Sequence, residues 1–345
     1  MTSKDWNSAE QPTAILTKVP ALTWLSRCAA ALIVLAAAGG CAIPHIEPSG
    51  LAEIDRSQLP EPDAVIDIAG LGPCSDTEDR SVAINRHEPV TVIVHGCYGS
   101  AGRLRSLSQV FAFHGQQSLC FSYNDRASLE QSSAELIHAL SELNQFMDPN
   151  TDIRVLGHSQ GGLVARRALV ENRPDQLRLD APPKELITVA SPFAGIPAAS
   201  TCGSIPVHVL SLGATVAVCR YISGRKWWEI TAASDFIQQP GSPLPGIERH
   251  LKIITDERDS CRIRNNDGRC VSRDGVFGIA EQYHPPVDRY PIVSNIEVRA
   301  GHVEIVGDAD APPIKLIAIL QDQGVMNPTE PERRAALQAL LAELY

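Results

Sequence analysis

Residues 153–169, IRVLGHSQGGLVARRAL, constrain this chain more than any other stretch. A short apolar run (Ile153, Val155, Leu156) meets Gly157, His158, Ser159, Gln160, Gly161 and Gly162, and a helix-compatible segment follows with Leu163, Val164, Ala168 and Leu169 on one side. Strand, tight turn and helix around G-x-S-x-G is the context of a nucleophile elbow. Such a turn is so sharp that side chains at its first and last motif positions would strike the neighbouring strand and helix. Glycine removes that clash and tolerates the strained backbone. Ser159 is then lifted clear of the backbone, and the helix N-terminus behind it favours developing negative charge. A bare G-x-S-x-G arises by chance in roughly one chain in ten of this length at ordinary glycine frequencies. The flanking strand and helix patterns therefore carry the inference.

With 345 residues, 44% hydrophobic and 20% charged, the chain can bury a full core, and one large α/β domain with decorations is expected. Its formal charge is −10. No basic stripe is present, which argues against nucleic acid as a partner.

After Arg27 comes CAAALIVLAAAGG and then Cys41. The apolar run is too short to span a bilayer but fits the core of a signal peptide. Its end, Ala38-Gly39-Gly40-Cys41, resembles the lipobox of bacterial lipoproteins. That resemblance implies cleavage before Cys41, lipid attachment to its thiol and a chain tethered in the bacterial cell envelope. Ala42 in place of an acid points to the outer membrane, facing the periplasm or the exterior. Residues 1–40 are thus predicted to be a signal segment. Seven cysteines lie beyond Cys41, so at most three bridges and one free thiol can form. Cys261 with Cys270 and Cys202 with Cys219 close short loops, and Cys97 is open to pairing with Cys120 or Cys74. No C-x-x-C or H-x-x-x-H spacing occurs, so no metal is expected.

Residues 42–80 are rich in proline and acid and read as an extended spacer from the membrane that becomes structured near Val65 or later. Residues 89–94, PVTVIV, are a β-branched run of the kind buried in a parallel sheet, and they lead into His95-Gly96-Cys97-Tyr98-Gly99. SLCFSY (118–123) is the next strand, and Leu129, Leu136, Leu140, Leu143 and Met147 predict an amphipathic helix over 128–147. ELITVA (185–190) is another buried strand. Residues 196–249 then break the alternation and carry Trp227-Trp228, which would form the apolar underside of a lid or part of the core. LKIIT (251–255) resumes the sheet, 292–298 is the last strand and 313–321 a helix. Thr329 and Glu332 have capping-box spacing before a helix bearing Leu337, Leu340, Leu341 and Leu344. Alternating strands and helices imply a mostly parallel sheet covered on both faces. The predicted bounds are a main domain over 81–325 and a C-terminal helix within 326–345.

A serine hydroxyl needs a base to take its proton, and that base needs a third group to orient it. Where the serine sits on such a turn, the chain order is nucleophile, acid, histidine. Only His284 and His302 lie beyond the strand at Leu251. His302 follows the last strand directly and is the better base; His284 sits in a stiff Tyr-His-Pro-Pro segment. For the acid, Asp274 leaves 28 residues to His302, room for the intervening strand. Asp256, at the end of its strand, is the other acid position, while Glu257 and Asp259 read as solvated-loop residues. The oxyanion would be met by the backbone N–H groups of Gln160 and Cys97. Cys97 itself has no base beside it in sequence, and His158 and His95 are expected to shape their turns.

VIVHGCYGS, VLGHSQGGLVAR, VASPFAG, DGVF and GHVEIV, in that order, resemble the successive motifs of α/β-hydrolase lipases and esterases. The likeness covers roughly residues 89–321. It implies an α/β-hydrolase fold and carboxylic-ester hydrolysis through an acyl-enzyme, with no cofactor and an ester or lipid as substrate. Carried over by position, it makes Ser159 the nucleophile, Asp274 the acid, His302 the base, and Cys97 and Gln160 the oxyanion hole. Two rivals stay open: an acyltransferase using the same residues, and a non-catalytic lipoprotein that binds lipid on the same scaffold.

Overall fold

The computed structural model of the chain describes residues 54–345 apart from 197–204, 212–215, 218, 220–223, 259, 262, 266, 273–274, 277 and 308–310. Cys41, the expected signal segment, Cys202, Asp259 and Asp274 all lie outside the described residues.

Eleven strands are described: β1 (Ala64–Ile66), β2 (Leu71–Gly72), β3 (Val82–Ile84), β4 (Val90–Val94), β5 (Gln117–Phe121), β6 (Ile153–His158), β7 (Glu185–Val189), β8 (Arg249–Asp256), β9 (Ile263–Arg264), β10 (Cys270–Ser272) and β11 (Val293–Arg299). Seven form the main sheet, in the order β11-β8-β7-β6-β4-β5-β2. All its pairs are parallel except β2 with β5. Helices α1 (Arg105–Phe113), α2 (Leu129–Phe146), α3 (Gln160–Ala168), α4 (Ile314–Asp322) and α5 (Arg334–Leu344) cover the sheet. This is an α/β-hydrolase fold, as expected.

The strands of the sheet centre are buried on both faces, which their β-branched, non-alternating composition demands. Side chains alternate across each strand, so two cores result. Val92, Val94, Leu119 and Val155 pack with Leu136, Leu140 and Leu143 of α2 and Val164 of α3. Ile93, Leu156, Ile187 and Ile253 pack with Leu107 and Phe111 of α1, Leu316 and Leu320 of α4, and Leu341 of α5. Ser128 caps α2, its hydroxyl accepting from the Gln131 N–H. Among the described residues no helix is long and apolar enough to cross a membrane.

Several expectations need correction. The domain begins well before residue 81, because β2 is an edge strand of the main sheet and Cys74 is bridged to Cys120 at the end of β5. Proline-rich composition hid short strands whose partners are remote in sequence. The Cys74–Cys120 pair leaves Cys97 a free thiol, whereas Cys261 pairs with Cys270 as expected and closes the β9–β10 hairpin. Thr329 does not cap α5. Its hydroxyl instead meets His114 Nε2 at 2.9 Å and accepts from Gln321 at 2.8 Å, and a 3-10 turn over Pro331–Arg333 precedes the helix. The insertion between β7 and β8 carries a helix at Ile205–Leu210, a 3-10 turn at Gly224–Trp227 and a helical turn at Asp235–Gln238.

Cys74 and Cys120 are both buried and lie 46 residues apart. Replacing both by alanine is expected to lower the unfolding free energy by about 2–4 kcal/mol through a less constrained unfolded chain. Urea denaturation measures this, and an unchanged midpoint would show that packing alone holds the edge.

Candidate active site

Four parallel strands deliver the site from their carboxyl ends, as open α/β sheets do. The loop after β4 brings Gly96 and Cys97, the end of β6 brings Ser159, the residue after β8 is Glu257, and the loop after β11 brings His302.

The turn at Ser159 is set by sterics. Ser159 has φ 55° and ψ −124°, outside the basins open to most side chains. A Cβ on Gly157 would come within 2.6 Å of the Gly161 carbonyl oxygen, and one on Gly161 within 2.3 Å of the Val94 carbonyl oxygen. Both glycines are therefore required, and the last one abuts β4 rather than only its own helix. The Ser159 N–H donates to the Val189 carbonyl at 2.8 Å, pinning the strained residue to β7.

His302 Nε2 lies 3.0 Å from Ser159 Oγ across 143 residues of sequence. Both residues are buried. The structure thus joins Ser159 with His302, while His284 is turned away, its Nε2 at 2.9 Å from the Ile237 carbonyl oxygen. His158 Nε2 donates to the His302 carbonyl at 2.9 Å, so the residue beside the serine braces the backbone of the distant histidine. Burial and the neighbouring His302 pull the His158 pKa down to about 3, which keeps its ring neutral.

Glu257 is the carboxylate that the described residues set against His302. Its Oε1 lies 3.4 Å from His302 Nδ1, its side chain is 4% exposed, and its other oxygen accepts from the Val276 N–H. The loop reading of Glu257 is therefore wrong: it is a buried group of the site. Asp256, one residue earlier, points the other way into a two-pronged contact with Arg258 at 2.8 and 2.7 Å. The hydrogen bond from Arg258 holds the Asp256 carboxyl down at about 2. Period-two alternation along β8 explains why neighbours 256 and 257 face opposite ways.

Gly96 sits so close to the serine that a Cβ there would be 2.9 Å from Ser159 Cβ, which brings the Cys97 backbone alongside the nucleophile. Gln160 opens α3 on the other side. The His95 ring stacks on Tyr123 at 4.4 Å, and the Tyr123 hydroxyl donates to the His95 carbonyl at 2.8 Å. Burial pushes the Cys97 thiol pKa up, which suits a neutral thiol rather than a thiolate nucleophile. Beside the site is a cavity of about 510 Å³ whose walls include Gly96, Cys97, Leu104, Val303, Val306 and Leu344. Trp227 and Trp228 are half-buried and pack edge to face at 5.7 Å. Among the described residues no cluster of His, Cys, Asp or Glu has the arrangement to hold a metal ion.

A family model described as Palmitoyl protein thioesterase matches residues 89–241, a stretch that runs from β4 into the insertion. No curated protein matches the chain by sequence. Among solved structures, the mature form of the Bacillus licheniformis lipase BlEst2 is similar at 14% identity, with 77% of this chain and all of that one covered and a TM-score of 0.46. Esterase B from Lactobacillus rhamnosis is similar at 11% identity, covering 93% of this chain and 96% of that one, with a TM-score of 0.46. YbtT, a type II thioesterase from the yersiniabactin biosynthetic pathway, is similar at 14% identity over 73% of this chain and 97% of its own, with a TM-score of 0.41.

A histidine held near pKa 3 in the fold and at its ordinary 6.5 when unfolded makes stability depend on pH. Between those values the unfolded chain binds a proton that the folded chain refuses. The contribution is whole above the unfolded pKa and is lost as pH falls, at up to about 1.4 kcal/mol per pH unit. His95 and His250, also lowered by burial, act in the same direction. Urea midpoints are expected to fall steadily between about pH 7 and about pH 4, more gently in His158→Asn; identical slopes would show that His158 is not a contributor.

Proposed function

We propose that this chain is a serine hydrolase of carboxylic esters, with Ser159 as nucleophile and His302 as base. The observation that carries the reading is the 3.0 Å approach of His302 Nε2 to the hydroxyl of a serine strained at the apex of a strand–turn–helix. The imidazole takes the hydroxyl proton as the oxygen adds to the ester carbonyl, then returns it to the leaving alcohol. Water repeats the sequence on the acyl-enzyme and releases the acid. The N–H groups of Cys97 and Gln160 meet the oxyanion. Glu257 orients His302 and stabilises the imidazolium in the role that the sequence reading gave to Asp274. No cofactor takes part in these steps.

The insertion after β7 acts in this reading as a lid over an apolar substrate, supported by the near-complete burial of Ser159 and by the exposed Val209 and Leu210 on its short helix. The lipobox-like Cys41 supports a lipid anchor and a place in the bacterial cell envelope. A second reading, hydrolysis of acyl thioesters, is favoured by the family-model match over 89–241. Both use the same residues, since a thiolate leaves from the same tetrahedral adduct.

Hydrolysis of p-nitrophenyl esters from acetate to palmitate, alongside an acyl-thioester series, tests the reading. Ser159→Ala is expected to lower kcat by about three to six orders of magnitude. A variant keeping a tenth of wild-type turnover would sink it. Turnover that appears only with an added alcohol acceptor would identify the acyltransferase instead. A wild type inert to every substrate and to fluorophosphonate would leave a lipid-binding protein.

Glu257→Gln is expected to reduce kcat about 100-fold to 10,000-fold, following the cost of removing the orienting acid in a serine triad. Asp256→Asn should stay within about threefold, since that carboxylate faces Arg258, and Asp274→Asn measured beside it decides between the two acids. A silent Glu257→Gln with an inactive Asp274→Asn would return the role to Asp274.

A further inference from the structure

Lys226 is an ammonium buried where the proposed chemistry has no stated use for it. It lies in the 3-10 turn Gly224–Trp227 of the insertion and is 2% exposed. The turn is laid onto the loop after β5: the Arg225 N–H donates to the Arg126 carbonyl at 2.7 Å, and Gly224 has φ +76° where a Cβ would meet that same oxygen at 2.3 Å. The Lys226 Nζ then reaches inward. It donates to the Gln160 side-chain oxygen, to the Asp125 carbonyl and, at 3.1 Å, to Cys97 Sγ. The Asp125 carboxylate is 3.7 Å away and itself accepts from the Tyr98 N–H at 2.7 Å. Gln160 also donates to the Asp125 carbonyl at 3.0 Å.

These contacts converge. Cys97 and Gln160, whose backbone N–H groups face the oxyanion in the proposed mechanism, each hold Lys226 through their side chains. The carboxylate partner of Lys226 holds the residue after Cys97, and Tyr98 has φ 55°, a backbone that needs such restraint. Burying an ammonium is costly unless it is paired and hydrogen-bonded, and here its partners are gathered around one small space. That space is where negative charge develops during acyl transfer in the proposed mechanism, and Ser159, Gln160 and Lys226 around it are all buried, so a fixed positive charge acts there with reduced screening.

We propose that Lys226 is a positioning residue for the oxyanion hole: it locks Cys97 and Gln160 in register and adds positive potential beside them. This inference rests on the ester-hydrolase reading and deepens it. The insertion is thereby part of the catalytic apparatus, not only a cover.

The test is Lys226→Met, of similar length and no charge, with Lys226→Arg as the charge-keeping variant. Active sites are titrated with a fluorophosphonate so that rates refer to folded enzyme. Lys226→Met is expected to lower kcat on p-nitrophenyl butyrate about 10-fold to 100-fold, with KM changed less than about threefold; Lys226→Arg should recover part of it. The decisive readout is the rate ratio of the oxygen ester to its thionoester, whose sulfur accepts hydrogen bonds poorly. Loss of oxyanion support lowers that ratio, whereas a merely structural role leaves it unmoved. An unchanged ratio in folded Lys226→Met overturns the proposal while leaving the hydrolase reading intact. A wild type with no ester turnover fails that reading instead. Should Lys226→Met not fold, Gln160→Leu and Cys97→Ala each delete one Lys226 contact and keep the backbone donor. A lowered ratio in them supports the proposal, and unchanged ratios in both overturn it.

Discussion

The contact between Gly161 and the carbonyl oxygen of Val94 sets the geometry on which the site depends. It brings the start of α3 against the end of β4 with no room for a side chain. That single approach places the strained serine, the first turn of α3 and the loop after β4 around one point. The N–H from Ser159 to Val189 ties the same point to β7. Strain at Ser159 persists because three strands and a helix over-determine it. Without glycine at 161, α3 would stand further off and the loop carrying Cys97 would lose its floor.

Around that point the polar groups are buried, and their partners come from remote segments. His158 is neutral and spends its donor on the backbone of His302. Glu257 sits against His302 and against the Val276 N–H, so it joins the end of β8 to the loop before β11. Lys226 joins the insertion to the loop after β4 and to the first residue of α3. Buried polar groups such as these are expensive to leave without their partners.

Much of the scaffold was legible because its signals are local. The β-branched runs at β4 and β7, the leucine spacing of α2 and the glycines around Ser159 each report on their own neighbourhood, and the structure agrees with them to within a residue or two. The approach of His302 to Ser159 was legible as well, since few histidines follow β8 and only one directly follows a strand. Helix α1 was not among the predicted elements, although Leu107, Val110 and Phe111 carry helical spacing. β2 and the Cys74–Cys120 link were missed because proline-rich composition reads as spacer and cysteine pairing depends on approach in space.

The site divides in the same way. The sequence by itself determined the sharp turn at Ser159, since only glycine fits where backbone meets backbone, and it determined the strand–helix alternation that makes the sheet parallel. Only the tertiary structure decided that Glu257 rather than Asp256 faces His302, because one residue of register turns a side chain to the opposite face. It also decided that Lys226 reaches Cys97 and Gln160, across 129 and 66 residues. Local steric rules are written in adjacent residues. Which charges share a buried space depends on how distant loops close over the sheet, and no local pattern encodes that.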